Sequence, residues 1–341
     1  MWWKRLRKNP LAWIGAAVLV VFYALVLCAP WITPYNPNDA SKDAALLPPT
    51  PVYWYSPSGE FLGAHVYPVR QGPVSLETGD RQITIDWQKP SRIRIFHGHL
   101  FDTTGEGQLH LLGTDDQGRD QFTRLLYGGR VSLTIGLIST LVSFTLGCLI
   151  GAVSGYFGGW LDSLLMGGVE VIMSIPTLYL LVALTAILPD QMNNAQRFSL
   201  IVALLSLVSW AGLARVIRGQ VLGIKQETFI TAARSTGASN WRIIWRHILP
   251  QTSTYIVIAA TSSIPSFTIA ESVLSLIGLG IRAPDASWGN MLSLATNSSI
   301  IVLQPWLIWS PAILIVLTVL AYNLLGDGLR DALDPKHNQP R

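Results

Sequence analysis

The side chains that could do chemistry in this sequence are few and far apart. Two carboxylates, Glu170 and Glu271, lie inside long apolar runs. A charge near the middle of a membrane span costs about 2.5–3.5 kcal/mol on insertion scales, so each position needs a reason. One reason is structural, because Glu170 could form a buried ion pair with Arg215 or Arg218. The other is functional, because both carboxylates could face a water-filled path through the membrane.

The motifs of common catalytic sites are missing from the sequence. A P-loop binds phosphates through its backbone amides and the lysine of Gly-x4-Gly-Lys-Ser/Thr, and no lysine here follows a glycine. There is also no His-Glu-x-x-His and no convincing Ser/His/Asp set. His97-x-His99, with His110 nearby, could form a weak metal site, but exposed pairs on one face of a strand are common. We therefore expect no enzyme activity, no cofactor and no metal.

The composition indicates an integral membrane protein, because 50% of the 341 residues are hydrophobic and only 13% are charged. The formal net charge of +4 does not indicate a nucleic-acid partner, because the basic residues cluster beside apolar runs. Cys28 and Cys148 both lie inside such runs, which argues against a disulfide framework. The expected partner is therefore the lipid bilayer, with no nucleic acid.

Six apolar runs have roughly the 20 residues that a bilayer core requires. The expected spans are residues 11–32, 131–155, 163–188, 198–214, 252–275 and 306–325. The first span follows a basic start that resembles a secretory signal, but its length and the lack of a small-x-small cleavage site favour a retained anchor. Basic residues before the first span and throughout residues 215–250 predict that these segments and both termini are cytoplasmic.

Two features inside the spans concern how the helices pack and bend. Glycines at positions 147, 151, 155 and 159 are four residues apart, so they form one helix stripe that lets another helix approach closely. Pro176 frees a backbone carbonyl and predicts a kink, which could serve as the hinge of a gate.

The segment between the first and second spans differs from the rest of the chain. It is Pro-rich at first and then alternates in hydrophobicity, which favours short strands. The predicted fold is an all-α integral membrane protein with six transmembrane helices, cytoplasmic N- and C-termini, and a small β-rich external insert after helix 1. The predicted domains are an N-terminal cytoplasmic segment with transmembrane helix 1 (1–33), the external insert (34–110), a five-helix core with a cytoplasmic loop at 215–250 (111–335) and a cytoplasmic tail (336–341).

A polar, basic loop lies between the fourth and fifth spans. Glu227 suits the start of a short helix ending near Thr236, because a carboxylate there interacts favourably with the helix dipole. Gly237 fits the left-handed position after a helix end, and Ser239 is a good N-cap for a second helix over residues 241–249. A long structured loop in a membrane protein indicates that another protein docks there. The alternative is an amphipathic surface helix with no partner.

The loop also carries a pattern of small residues, Ala-Ala-x3-Gly-x11-Leu-Pro. This pattern resembles the EAA loop of ABC importer permeases, and the histidine before Ile-Leu-Pro resembles the dipeptide/oligopeptide/nickel branch of that family. Thr231 stands where a glutamate often opens the motif. The resemblance implies a coupling helix that inserts into a groove on a cytoplasmic ATPase. The residues it implicates are Glu227, Thr231, Ala232, Ala233, Gly237, Arg242, His247, Leu249 and Pro250.

Three further stretches resemble the same branch, and the last of them is residues 323–335, so that the resemblance covers about residues 110–335. Residues 113–133 contain Gly-Thr-Asp and then Gly-Arg-Asp, and residues 276–291 contain Ser-Trp-Gly-Asn-Met. We expect residues 121–127 to form a turn or two on the outer surface. In and beside this segment, three arginines could meet headgroups or acidic side chains: Arg119, Arg124 and Arg130.

The resemblance implies the permease subunit of an ATP-driven ABC importer that moves a peptide-like solute across the bacterial inner membrane. The implied partners are a second related permease that completes a heterodimer, two ABC ATPase subunits and an external substrate-binding protein. An ion-gradient-driven secondary transporter or channel is the alternative, and it would rely on the carboxylates inside the spans. Candidates for the translocation path or gate are Glu170, Pro176, Glu271 and Trp288.

Overall fold

The computed structural model describes residues 6–7, 9–74, 81–187, 189 and 191–333, and long helices dominate this part of the chain. In chain order the helices are α1 (Pro10–Leu27), α2 (Ala29–Ile32), α3 (Gln121–Phe157), α4 (Gly159–Ser174), α5 (Thr177–Ala186), α6 (Asn194–Ile224), α7 (Thr228–Ser235), α8 (Asn240–Ile243), α9 (Leu249–Leu276), α10 (Trp288–Leu292), α11 (Ser298–Leu303) and α12 (Trp306–Leu333). Short helical turns also occur at Lys42–Ala44, Ile244–Ile248 and Ser293–Thr296.

The chain is a multi-pass membrane protein. Within the described residues, five helical segments are long and apolar enough to cross a bilayer: α1, α3, α6, Asn240–Leu276 and α12. The count becomes six if the pair α4 and α5, bent by 86° at a short break, forms one span. The break falls at Pro176, as predicted, because proline lacks an N–H and disfavours helical backbone in the residue before it.

Several helices extend beyond the apolar runs that predict them. Residues 121–127, expected as a separate surface turn, are the first two turns of α3, and residues 215–224 continue α6. Hydropathy reports the thickness of the bilayer core, whereas a helix continues for as long as its backbone hydrogen bonds are made. The end of the third span at residue 188, the tail at 336–341 and basic residues 4, 5 and 8 lie outside the described residues.

The chain clusters into two compact units. Among the described residues, the first unit comprises those within 6–19, 133–274 and 317–333, and the second comprises those within 20–132 and 275–316. The boundaries cut through long helices, so this division differs from the linear one expected from the sequence. Each unit has its own packing.

In the first unit, the predicted glycine stripe brings α3 against α6. A Cβ atom placed on Gly147 would lie 2.9 Å from Leu213 Cβ, and one on Gly155 would lie 2.9 Å from Val221 Cβ. Gly151 faces the backbone of Ala214 in the same way. The close approach is therefore confirmed at these three positions. It is wrong for position 159, because that glycine begins α4 and a Cβ atom placed on it would meet no neighbouring atom within 4 Å.

In the second unit, strands occupy the segment in which alternation predicts them. Among the described residues these are β1 (Tyr53–Tyr55), β2 (Phe61–Val66), β3 (Val69–Val74), β4 (Arg81–Ile85), β5 (Ser91–Ile95) and β6 (Phe101–Thr104). An antiparallel sheet has the order β1-β2-β5-β6, and β3 pairs with β4 in a separate ribbon. Tyr67 is buried in this segment, and its ring lies 5.4 Å from that of the half-buried Tyr53 and 4.9 Å from that of the exposed Trp87.

We expect Gly151→Ala to lower the free energy of unfolding, because the added methyl group meets the backbone of α6. Overpacking of a tight contact costs typically about 1–3 kcal/mol. Gly168→Ala is the matched control, since it adds the same methyl group to α4 where no neighbouring atom lies within 4 Å. Thermal unfolding of the solubilised protein should show a lower Tm for Gly151→Ala alone. Equal Tm values for the two variants would contradict the close approach.

Candidate functional site

The loop between α6 and α9 has the local structure that its residues predict. Glu227 is the N-cap residue of α7, and the helix ends at Thr236. Gly237 has φ +81°, the left-handed region that favours glycine. The hydroxyl of Ser239 accepts a hydrogen bond from the backbone N–H of Arg242 and so begins α8. The helix–turn–helix prediction is thus confirmed by the backbone.

The end of the loop differs from its prediction. Leu249-Pro250 does not close a separate helix, because α8 passes through the π turn at Ile244–Ile248 directly into α9. Pro250 has no N–H to donate to the preceding turn, and its ring crowds that turn's carbonyl groups. A wider π turn immediately before a proline relieves both problems. The loop is therefore continuous with a membrane-spanning helix.

One side of the loop is buried against the ends of α3 and α6. The aromatic ring of Tyr156 and the side chain of Val221 meet a row of apolar loop residues that is almost fully buried. These loop residues are Ile230, Ala233, Ile243, Ile244 and Ile248. The loop is thus part of the same hydrophobic core as the helices that it joins.

Polar contacts also hold the buried side of the loop in place. The hydroxyl of Tyr156 donates to the side-chain oxygen of Asn240 at 2.9 Å, and the guanidinium of Arg234 lies 5.2 Å from the centre of the Tyr156 ring. The Lys225 ammonium donates to the carbonyl of Gly155 at 2.8 Å. These contacts tie α7, α8 and the end of α6 to the last turn of α3.

An ion pair joins the start of α4 to α6. Both Nε and Nη2 of Arg218 donate to Asp162, each at 2.6 Å, and the hydroxyl of Ser154 donates to the same carboxylate. Two parallel charged hydrogen bonds give this fork a defined orientation. Glu170, the expected partner of Arg218, is exposed instead. Asp162 was missed, although it is the first acidic residue after Asp120 and lies one turn past a glycine corner.

The opposite side of the loop is open, and we call it the loop face. It consists of Glu227, Thr231, Ala232, Gly237 and Arg242, all exposed. Pro250 is also exposed, and His247 and Leu249 are partly buried. Ala233, expected beside Ala232 on a flat surface, points into the core instead. The reason is helix geometry, since Ala233 follows the buried Ile230 by three residues and shares its side of α7.

The remaining predicted path residues lie in different surroundings. Glu271 is fully buried in α9, and Pro176 lies at the bend between α4 and α5. Trp288, expected at an open mouth, is buried. Its indole N–H donates to the carbonyl of Leu125 at 2.9 Å, and its ring fills the space left by the missing side chain of Gly129. Trp288 therefore serves packing within the second unit.

The arginines of the outer motif meet acidic side chains, as predicted, in two of three cases. Asp115 accepts from Arg119 Nε at 2.7 Å and lies 3.3 Å from Arg124 Nε, with all three groups buried. Burial, and then the charge of Asp115, raise the pKa of Asp116. Arg130 instead donates to backbone carbonyls at the end of α1.

The three histidines that were the alternative to an absence of metal do not converge. His97 and His99 lie in the turn between β5 and β6, and His110 Nδ1 lies 2.8 Å from a carboxylate oxygen of Asp120. Across the described ranges, no group of three His, Cys, Asp or Glu side chains is arranged to hold a metal ion. His110 is instead part of a buried polar cluster with Asp120 and Thr123.

Comparison with known proteins adds an independent observation. Residues 147–339 match the family described as "Binding-protein-dependent transport system inner membrane component", and residues 1–49 match the "N-terminal TM domain of oligopeptide transport permease C". The dipeptide transport system permease protein DppC of Bacillus subtilis is 33% identical over 336 residues, which cover 98% of this chain and 84% of that protein.

Two further relatives align over shorter stretches. The glutathione transport system permease protein GsiD of Pectobacterium atrosepticum is 41% identical over 238 residues, or 69% of this chain and 76% of that protein. The oligopeptide transport system permease protein OppC of Haemophilus influenzae is 38% identical over 251 residues, or 74% of this chain and 75% of that protein.

We expect Asp162→Asn to cost about 1 kcal/mol of unfolding free energy, because it removes the charge that the fork of Arg218 binds. The cost should shrink when Arg218→Gln is already present, since the two side chains act as a pair. Glu106→Gln is the control, because its pair with Lys89 is exposed on both sides and should contribute almost nothing. Chemical denaturation of the four-member cycle measures the coupling, and strict additivity would contradict it.

Proposed function

Given that this chain belongs to the family of binding-protein-dependent transport system inner membrane components, and is thus a permease subunit of an ABC importer, we propose that residues 227–250 couple it to separate ATPase subunits. In this proposal the loop face binds a groove on a cytoplasmic ATPase. Closure of two ATPases around ATP pushes the loop and rocks the helices between outward-open and inward-open states.

The observation that supports this role is the two-sided construction of the loop. Its buried side shares a core with the ends of α3 and α6, and polar contacts to Tyr156 and Gly155 hold it in register. Its other side presents Thr231, Ala232 and Gly237 to solvent. A loop anchored in this way moves with the helices, so a force applied to the loop face reaches the spans. Small side chains on that face let a partner approach closely.

The proposal also includes an assembly and an orientation. We place both termini and the loop in the cytoplasm and the β-strand segment outside, in the inner membrane of a bacterium. A second related permease, two ABC ATPases and an external substrate-binding protein complete the importer. The chain itself carries no P-loop, so ATP hydrolysis belongs to the partner subunits.

The cargo we propose is a peptide-like solute. The similar proteins named above are described as permeases for a dipeptide, glutathione or an oligopeptide. Within the chain, the bend at Pro176 supplies the hinge of a gate, and the carboxylates of Glu170 and Glu271 are candidates for the path. Trp288, the remaining candidate, has a packing role within the second unit.

We expect Ala232→Glu to leave membrane insertion intact and to uncouple ATP hydrolysis from uptake, because it places a long charged side chain on the loop face. Ala232→Gln, which has nearly the same volume without the charge, should retain more uptake. Ala233→Glu should instead lower the Tm, because that position is buried. The measurement is uptake per ATP hydrolysed by the complete complex in proteoliposomes. Normal coupling in Ala232→Glu would contradict the docking role.

We expect the reconstituted complex to accumulate labelled di- and oligopeptides when ATP and the external binding protein are present, and to stop when either is withheld. Mass spectrometry of the copurified complex should identify the subunits and the bound cargo. Uptake driven by an ion gradient in the absence of ATPase subunits would contradict the proposal and would support a secondary transporter instead.

A further inference from the structure

One end of the four-stranded sheet carries a group of exposed aromatic and apolar side chains, which we call the aromatic rim. It consists of Trp54, Tyr55, Phe61, Ile95 and Phe96. Tyr55 pairs with Phe61 where β1 turns into β2, and the ring of Trp54 stacks on that of Phe61 with an interplanar angle of 13°. Strand β5 runs antiparallel to β2 and therefore reaches the same end of the sheet at Ile95.

The side chains of the rim are far more exposed to solvent than aromatic and aliphatic side chains usually are. The exposed fraction is 80% for Phe96, 62% for both Tyr55 and Phe61, and 60% for Ile95. The buried side chains of this segment include His65, Val66 and Tyr67 at the opposite end of β2, so the rim is not its core. A contiguous apolar patch of this kind marks a surface that meets a protein partner or a membrane.

The rim is fixed at the point where the first span ends. The turn after β5 folds back so that the backbone N–H of Phe96 donates to the carbonyl of Leu100. The N–H of Leu100 in turn donates to the carbonyl of Trp31 at 2.7 Å, and its side chain packs against Ala29 and Ile32. Trp31 is itself 69% exposed. The rim therefore lies beside the segment in which the chain leaves the bilayer.

Other side chains near the end of α1 are of the kind found at membrane interfaces. Arg130 donates to the carbonyls of Val26 and Leu27 at the end of α1, and its guanidinium lies 4.9 Å from the centre of the Tyr127 ring. Tryptophan, tyrosine and arginine concentrate where headgroups meet hydrocarbon, because each has an apolar body and a polar end. The exposed side of α1 is apolar up to Leu27.

The backbone conformation of Phe96 also supports a functional role for its exposed side chain. Its φ of +61° is in the left-handed region, which is uncommon for a bulky residue. Strained backbone persists where the surroundings impose it, and it concentrates at functional positions. Here the hydrogen bond from Phe96 to Leu100 closes the turn, and the aromatic side chain is exposed.

From these observations we propose that the aromatic rim, together with Trp31, inserts into the interfacial layer of the bilayer on the side of the strands. The occupant of this surface is lipid, because hydrogen bonds through Leu100 hold the rim beside the exposed Trp31, just after the end of a membrane-spanning helix. The sheet is thereby held down on the membrane, and its orientation relative to α1 is restrained by the bilayer as well as by Leu100.

The test uses the full chain with Cys28→Ser and Cys148→Ser, so that a single introduced cysteine carries the environment-sensitive fluorophore NBD. Phe96→Cys is the probe position. Gln88→Cys is the matched control, because it is exposed in the turn before β5, at the opposite end of the same strand. Both proteins are reconstituted into phosphatidylcholine vesicles with or without doxyl-labelled lipid, and the Tm of each verifies that it is folded.

We expect the NBD group at position 96 to emit at shorter wavelength than that at position 88 and to lose fluorescence to doxyl lipid, while position 88 responds only to aqueous iodide. Quenching of position 96 by iodide alone would overturn the proposal. Protection from both quenchers would also overturn it, because a protein neighbour would then cover the rim. If Phe96→Cys fails to fold, Ile95→Cys and Phe61→Cys serve as probes with the same criteria.

Discussion

The close approach of α3 and α6 is the constraint on which the rest of the first unit depends. Three glycines remove the side chains of α3 at the contact, so that Leu213, Ala214 and Val221 of α6 approach the α3 backbone. The packing then continues into Tyr156 and the isoleucines of the loop. Interiors packed at this density transmit displacement because they have little room to absorb it. The helix contact and the anchoring of the loop are therefore one structure, and neither can move far without the other.

Polar contacts determine how these helices are aligned more than they contribute to the stability of the packing. The fork between Arg218 and Asp162 is partly exposed, and pairs of that kind contribute modestly to stability. Its geometry is directional, however, and it joins the first turn of α4 to the body that holds the loop. The bend at Pro176 lies at the other end of α4. Helix α4 is thus held by an ion pair at its first turn and followed by a break at its other end.

The sequence predicts features whose cause is local and misses those whose cause is distant. Gly237 and Ser239 follow from the backbone and side-chain rules of helix ends, and the strands follow from alternation. Periodicity alone, applied within α7, would have placed Ala233 beside Ile230 in the core. No local rule reveals that Gly129 leaves a slot for Trp288, or that Asp162 rather than Glu170 binds Arg218, since each pair meets only through the fold.

The meaning of an exposed apolar side chain depends on the solvent it faces. In water, each Å² of exposed apolar surface costs roughly 25 cal/mol, so a patch such as the aromatic rim would favour aggregation. At the end of a membrane span the same side chains meet headgroups and hydrocarbon, and the cost becomes a gain. The hydrogen bond from Leu100 to Trp31 favours the second case, because it holds the end of the sheet beside the residues that follow α1. Insertion of the rim would thus give the segment that follows α1 a second attachment besides its covalent links.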